Sequence, residues 1–231
     1  MKKIITSLCL SFVFVIMAFT ESKANTYYVL DEQEFTLTPD AVAGTFSSIL
    51  WTVDNVALSP ILTGVGALTK SFKLTNSGTA EEHKIKLGVI ASLGGCLSEL
   101  VEHTVVVIPK LSLSITTPKD NFCVGAFSAD LTVNVSLDAT ALGLLKSKYN
   151  ITLAPFAWTG GGTANGNVLT INQAGNYSVS GDYLVLEGTN VVSGALIPTA
   201  TKILGQGAIA GASKLIKNDL AIPVVTNLLF N

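Results

Sequence analysis

Leu131-Thr132-Val133-Asn134-Val135-Ser136-Leu137 alternates apolar and polar residues without a break. Successive side chains on a strand point to opposite faces, so this stretch sets Leu131, Val133, Val135 and Leu137 on a core and Thr132, Asn134 and Ser136 in water. The same period runs through Lys84-Ile85-Lys86-Leu87-Gly88-Val89 and Leu111-Ser112-Leu113-Ser114-Ile115-Thr116. These are half-buried antiparallel strands, the kind from which sandwiches are built.

Working outward, FTLTPDAVAG at 35–44 leads to a strand reaching Trp51, and NVSLDATALG at 134–143 leads to one reaching Trp158. Both read strand, Asp-Ala turn, Gly, strand, Trp. A strand pair follows each tryptophan, 68–75 with 84–91 and 168–172 with 176–186. Small-residue hairpins at 93–96 and 187–190 come next, then last strands near 104–108 and 199–204. The tryptophans stand about 107 residues apart, a domain period, with the junction bracketed by Pro109 and Pro118. Short strands, frequent turns and one central Trp per copy predict two tandem antiparallel β-sandwiches in the immunoglobulin style, over 25–111 and 112–204. Trp51 and Trp158 are the expected core anchors. A sugar-stacking platform is the competing use of a Trp, but Tyr27, Tyr28, Tyr149, Tyr177 and Tyr183 are dispersed along the chain.

WTGGGTANGNVLTINQAGNYSVSG at 158–181 resembles the core of PKD-like and bacterial Ig-like domains: a Trp strand, a Gly-rich loop, a short "LT" strand and an "AG-x-Y-x-V" strand. Asn121-Phe122-Cys123-Val124-Gly125 is similar to the "CVG" opening of such repeats. The likeness is fuller over 112–204 than over 26–111, where no AG-x-Y strand occurs. It implies a secreted or surface module used as a spacer or binding unit, and no particular chemistry. In similar repeats an early Cys pairs with a late one in the same domain, whereas Cys96 is late in copy one and Cys123 early in copy two. An inter-domain Cys96–Cys123 disulfide and two separate thiols both remain open, the first requiring Cα atoms within about 7 Å.

The compartment comes from the N-terminus. Lys2 and Lys3, an apolar run from Ile4 to about Thr20 and the small residues Ser22 and Ala24 predict a cleaved secretory signal peptide at 1–24, carrying Cys9 with it. The run is short of the roughly 20 residues that span a bilayer, so no stable membrane span is expected in the mature chain. The whole chain has 14 basic residues, all lysine, and 16 acidic ones. Without the leader the net charge is about −4, which implies no nucleic-acid partner. Only 13% of residues are charged, a sparsely charged surface that suits a secreted or cell-surface β-protein in an oxidising compartment.

Catalytic, cofactor and metal sites are expected to be absent. Gly160-Gly161-Gly162-Thr163 lacks the following Lys-Ser/Thr and helix of a phosphate cradle and reads as a turn. His83 beside Glu82 and His103 beside Glu102 lack zinc-site spacing, and Asp31-Glu32-Gln33-Glu34 is read as solvated charge before a calcium loop. No Gly-x-Ser-x-Gly elbow or Cys–His signature occurs. In the C-terminal tail, 205–231, Ala208, Ile209, Ala212, Leu215 and Ile216 recur at near-helical spacing, and strand-like apolar residues follow. The tail is expected to pack on the second sandwich or on a partner, with self-assembly through 205–231 as the sharper option. The function expected is therefore a non-catalytic, non-enzymatic protein of adhesion, surface assembly or structure, with an extracellular carbohydrate- or ligand-binding accessory protein as the alternative. Its protein or glycan partner is unspecified.

Overall fold

The computed structural model describes residues 26–38, 47–58, 69–90, 100–186, 203–206 and 210–222. The expected signal peptide, the hairpins at 93–96 and 187–190, and Cys96 lie outside them. Among the described residues the fold is all-β with one helix. In chain order the strands are β1 (Thr26–Leu30), β2 (Glu34–Leu37), β3 (Ser48–Val53), β4 (Val56–Ala57), β5 (Lys70–Lys73), β6 (Glu81–Ile90), β7 (Val101–Ile108), β8 (Leu113–Thr116), β9 (Asn121–Cys123) and β10 (Ala129–Val135). Helix α1 (Ala139–Tyr149) follows, then β11 (Ile151–Leu153), β12 (Ala157–Thr159), β13 (Thr163–Asn165), β14 (Val168–Ile171), β15 (Gly175–Gly181), β16 (Tyr183–Val185) and β17 (Ala210–Leu220). No helix among the described residues is long and apolar enough to cross a membrane.

Contacts group the chain into two units that are discontinuous in sequence. The first draws on Thr38–Thr69 and His83–Val105, the second on Tyr27–Leu37, Lys70–Glu82 and everything from Val106 onward. In the first unit β3 pairs antiparallel with β6, setting Trp51 opposite Leu87 and Ile49 opposite Val89. Trp51 is 3% exposed, and Ile49, Ile85, Leu87 and Val105 are buried with it. Asp54 and Asn55, with φ of 50° and 67°, join β3 to β4. Two consecutive positive φ values make a type I′ hairpin turn, whose twist matches that of the strands, and Asp and Asn tolerate that conformation.

In the second unit the alternation of 131–137 becomes β10, with Leu131 and Val133 buried. Two four-stranded sheets, in the orders β13-β14-β10-β8 and β12-β15-β17-β9, share one core. Leu131, Leu169, Ile171, Tyr177 and Ile216 are its buried members, and Ile115, Phe122, Phe127 and Trp158 pack against it. Residues of both sheets fill one apolar layer, which makes this region a β-sandwich. Each buried Leu or Ile there stabilises by about 1.5–3 kcal/mol relative to exposure.

A second core of the same unit joins α1 to β11 and β16, with Leu145, Tyr149, Ile151, Tyr183 and Val185 packed with Tyr28, Val106 and Ile108. Ala141, Leu145 and Tyr149 recur every fourth residue and form the buried stripe of α1. The Asp138 side chain accepts from the Ala141 N–H at 2.7 Å, and Asn150, at φ 55°, ends the helix in the left-handed region. The sequence repeat predicts a turn at Asp138-Ala139 into another strand. The structure corrects this: Asp138 is an N-cap, and eleven helical residues precede β11.

Two further corrections concern pairing. β5 pairs with β2 and β6 with β3, so 68–75 and 84–91 are not a pair. β14 pairs with β10 and β13, while β15 pairs with β12 and β17, which places 168–172 and 176–186 in opposite sheets. The connection Asn172-Gln173-Ala174 lacks the glycine of a tight hairpin and arches between sheets, and the Tyr177 hydroxyl donates to the Gln173 carbonyl at 2.7 Å. The near-helical spacing in 208–216 also misled. Residues 210–220 are β17, antiparallel to β15 from Ala210↔Gly181 to Ile216↔Gly175 and parallel to β9. Ile216 enters the sandwich core, and that burial outweighs a weak local helical preference.

Candidate functional site

The acidic and histidine residues singled out in the sequence are spread through strand-to-strand contacts. Asp31 accepts from the Asn76 amide at 3.1 Å, Glu32 pairs with Lys110 at 2.8 Å, and Glu34 stands opposite Lys73 in the β2–β5 register. The Lys110 hydrogen bond and charge hold the Glu32 carboxyl below its usual range. His83 Nδ1 is 2.8 Å from Asp54, and Glu102 pairs with Lys86 at 3.0 Å and Lys84 at 3.5 Å. Glu82 instead accepts from the Tyr149 hydroxyl at 3.1 Å and pairs with Lys148 at 3.0 Å. Among the described residues no three His, Cys, Asp or Glu side chains gather as metal ligands.

The glycine-rich loop is a sheet-to-sheet arch. Gly160, Gly161 and Gly162 all have positive φ, and they carry the chain from β12 in one sheet to β13 in the other. A Cβ on Gly160 would sit 2.7 Å from the Asn176 carbonyl oxygen, and one on Gly162 would sit 2.6 Å from that of Thr170. Backbone already fills the space a side chain would need at these two positions.

The aromatic residues also turn inward. Tyr28, Tyr149, Tyr177 and Tyr183 are buried. Tyr183 donates to the Pro109 carbonyl at 2.7 Å, and burial pushes its hydroxyl pKa far above the ordinary value. Trp51 is fully enclosed, but Trp158, on edge strand β12, is half-buried with its Nε1 unpartnered among the described residues.

Exposed apolar surface collects at the opposite edge of the Trp158 sheet. Among the described residues β9 is the outermost strand there, parallel to β17, with Cys123 opposite Leu220. Val124 donates its N–H to the Leu220 carbonyl at 3.0 Å. Val124, Leu220 and Ile222 are 56, 46 and 62% exposed, and Cys123 is exposed as well. Phe122 stacks on Phe127 with centroids 4.3 Å apart, under a depression of about 340 Å³ lined by Pro118, Lys119, Phe122, Ser128, Ala129 and Asp130. Exposed apolar residues beside a strand edge are the kind of surface that a macromolecular partner covers. In the sequence these residues stand out as the Asn121–Gly125 motif with Cys123 in it and as part of the apolar, strand-like tail. The available signals were Phe122 and Phe127 flanking a glycine turn and Ile222 ahead of Pro223.

No protein-family model and no curated protein matches the chain. Among solved structures, the fibronectin(III)-like modules of Clostridium thermocellum CbhA align at 14% identity and a TM-score of 0.31, over 86% of this chain and 93% of that one. The N-terminal four Ig domains of Dscam1 isoform 8.4 align at 15% and 0.32, over 86% and 44%. Sidekick-1 immunoglobulin domains 1–4 align at 12% and 0.29, over 86% and 50%. The chain therefore spans half or less of the latter two, and TM-scores this low define no common fold for the whole chain.

Proposed function

We propose that this chain is a non-catalytic, exported β-sandwich protein that acts at the cell surface in adhesion, assembly or structure. The observation that carries the reading is the β9 edge, where Val124, Leu220 and Ile222 leave apolar surface open beside a strand with one side unpaired among the described residues. Such a surface is costly in water and serves contact with another macromolecule. The leader expected at 1–24 supports export, and the Tyr177 hydroxyl bonded back to Gln173 supports an Ig/PKD-like second sandwich, because Ig-type sandwiches fix the same corner with a tyrosine. Protease shaving of intact cells carrying the tagged full-length protein tests the location, and attachment of a deletion strain tests the role. Complete protection from protease together with unchanged attachment would sink the proposal.

The depression over Phe122 favours a second reading, an extracellular glycan-binding accessory protein, since an aromatic flanked by Lys119 and Asp130 offers a sugar both a stacking face and polar partners. Glycan-array binding that falls on Phe122→Ala and survives truncation after Ile222 would select it.

A further inference from the structure

The described edge of β9 has an open side and a defined geometry. Lys217 donates to the Asp120 carbonyl at 2.9 Å and Val124 to the Leu220 carbonyl at 3.0 Å, so even-numbered positions face β17. Backbone groups alternate in direction along a strand, so those of Asn121 and Cys123 point away from the sheet. β9 itself carries no charge, the usual guard of an exposed edge. Where it ends, Val124 is exposed beside the end of β17, with Leu220 and Ile222.

We propose that this edge accepts the segment Pro223-Val224-Val225-Thr226-Asn227-Leu228-Leu229-Phe230 of a second copy of the chain. The inference rests on the assembly reading above and names its partner. The segment continues directly from β17, is uncharged, and holds five large apolar residues in eight. Pro223 restricts Ile222 to extended backbone, and Ala221-Ile222-Pro223-Val224-Val225 contains no Gly, Asn or Asp to reverse the chain. This composition suits a strand added to an open sheet edge. A second copy's β9 edge offers it an open side among the described residues. There, an added strand would bond the outward groups of Asn121 and Cys123, cover Val124, and place one large side chain in the depression over Phe122. Because each copy offers one edge and one strand, the contact is head-to-tail and propagates into filaments.

The test is sedimentation velocity of the mature chain, residues 25–231, over a range of concentrations in reducing buffer, with electron microscopy of the largest species. Expected are species that grow with concentration. Cys123→Pro removes an outward N–H without touching the bonds made by Asp120 and Val124, and Val124→Lys puts a charge at the contact. Each should weaken association about tenfold or more. A chain ending at Ile222 should remain monomeric, melt like the full chain, and bind a synthetic 223–231 peptide. A wild type that stays monomeric throughout, oligomers indifferent to the truncation, or a truncated chain without a cooperative melt would each overturn the proposal. A monomer that still attaches to surfaces would overturn it and leave the adhesion reading standing, whereas loss of attachment as well would remove both.

Discussion

Trp51 and Trp158 occupy matching places in the sequence repeat and different places in the molecule. Trp51 lies on β3, between β6 and β4, and is enclosed. Trp158 lies on β12, the rim of its sheet, and is half-buried. The turns that follow differ too. Asp54-Asn55 reverses the chain within one sheet, while Gly160-Gly161-Gly162 throws it across to the other. The contrast teaches that alternation tells which face an aromatic takes, and the strand's rank in the sheet tells how far it is covered.

Five substitutions sharpen or break this comparison. Trp51→Ala should cost the most, about 3–5 kcal/mol in urea unfolding, because it empties an enclosed site. Gly162→Ala comes next at about 2–4 kcal/mol, adding a backbone clash to an unfavourable φ, whereas Gly161→Ala meets open space and should cost about 1 kcal/mol. Equal losses at the two glycines would show that the arch is not packed on Thr170. Trp158→Ala should cost about 2 kcal/mol, in proportion to its partial burial; a loss matching that of Trp51 would erase the distinction between rim and interior.

The smallest effect belongs to the hairpin after Trp51. Partial burial works against the Asp54 charge, but hydrogen bonds from the Lys84 amide and His83 offset it and hold the carboxyl below the usual carboxylate range. A depressed folded pKa stabilises above the unfolded value and is lost as pH falls through the folded one. Asp54→Asn should therefore cost under about 1 kcal/mol at neutral pH, given that the side chain is about half exposed, and nothing once acid has protonated Asp54 in both states. A pH-independent difference would assign the loss to the turn backbone.

Strands announced by strict alternation were legible: 84–89 lies within β6, 111–116 contains β8, and 131–137 overlaps β10. Pairing was not, because it depends on whether a connection folds back or arches over. Asn172-Gln173-Ala174 gives no local sign that Tyr177 will tie it across the sandwich. The helix was missed for a different reason. Asp138 and Asn150 are its caps, yet Leu142 and Leu144 off its buried stripe blur the period that would reveal it. Of the candidate site, Cys123 was visible as a residue, but its position beside Leu220 required β17, which brings together residues almost a hundred positions apart.

Hydrogen–deuterium exchange of the mature chain at low and high protein concentration tests the central claim most directly: β17 is an interior strand of the sandwich, and β9 beside it is an open edge for assembly. The β17 amides facing β15 should be protected at both concentrations, and those of Asn121 and Cys123 only at the higher one. Fast exchange throughout 210–220, or exchange at Asn121 and Cys123 that ignores concentration, would contradict it.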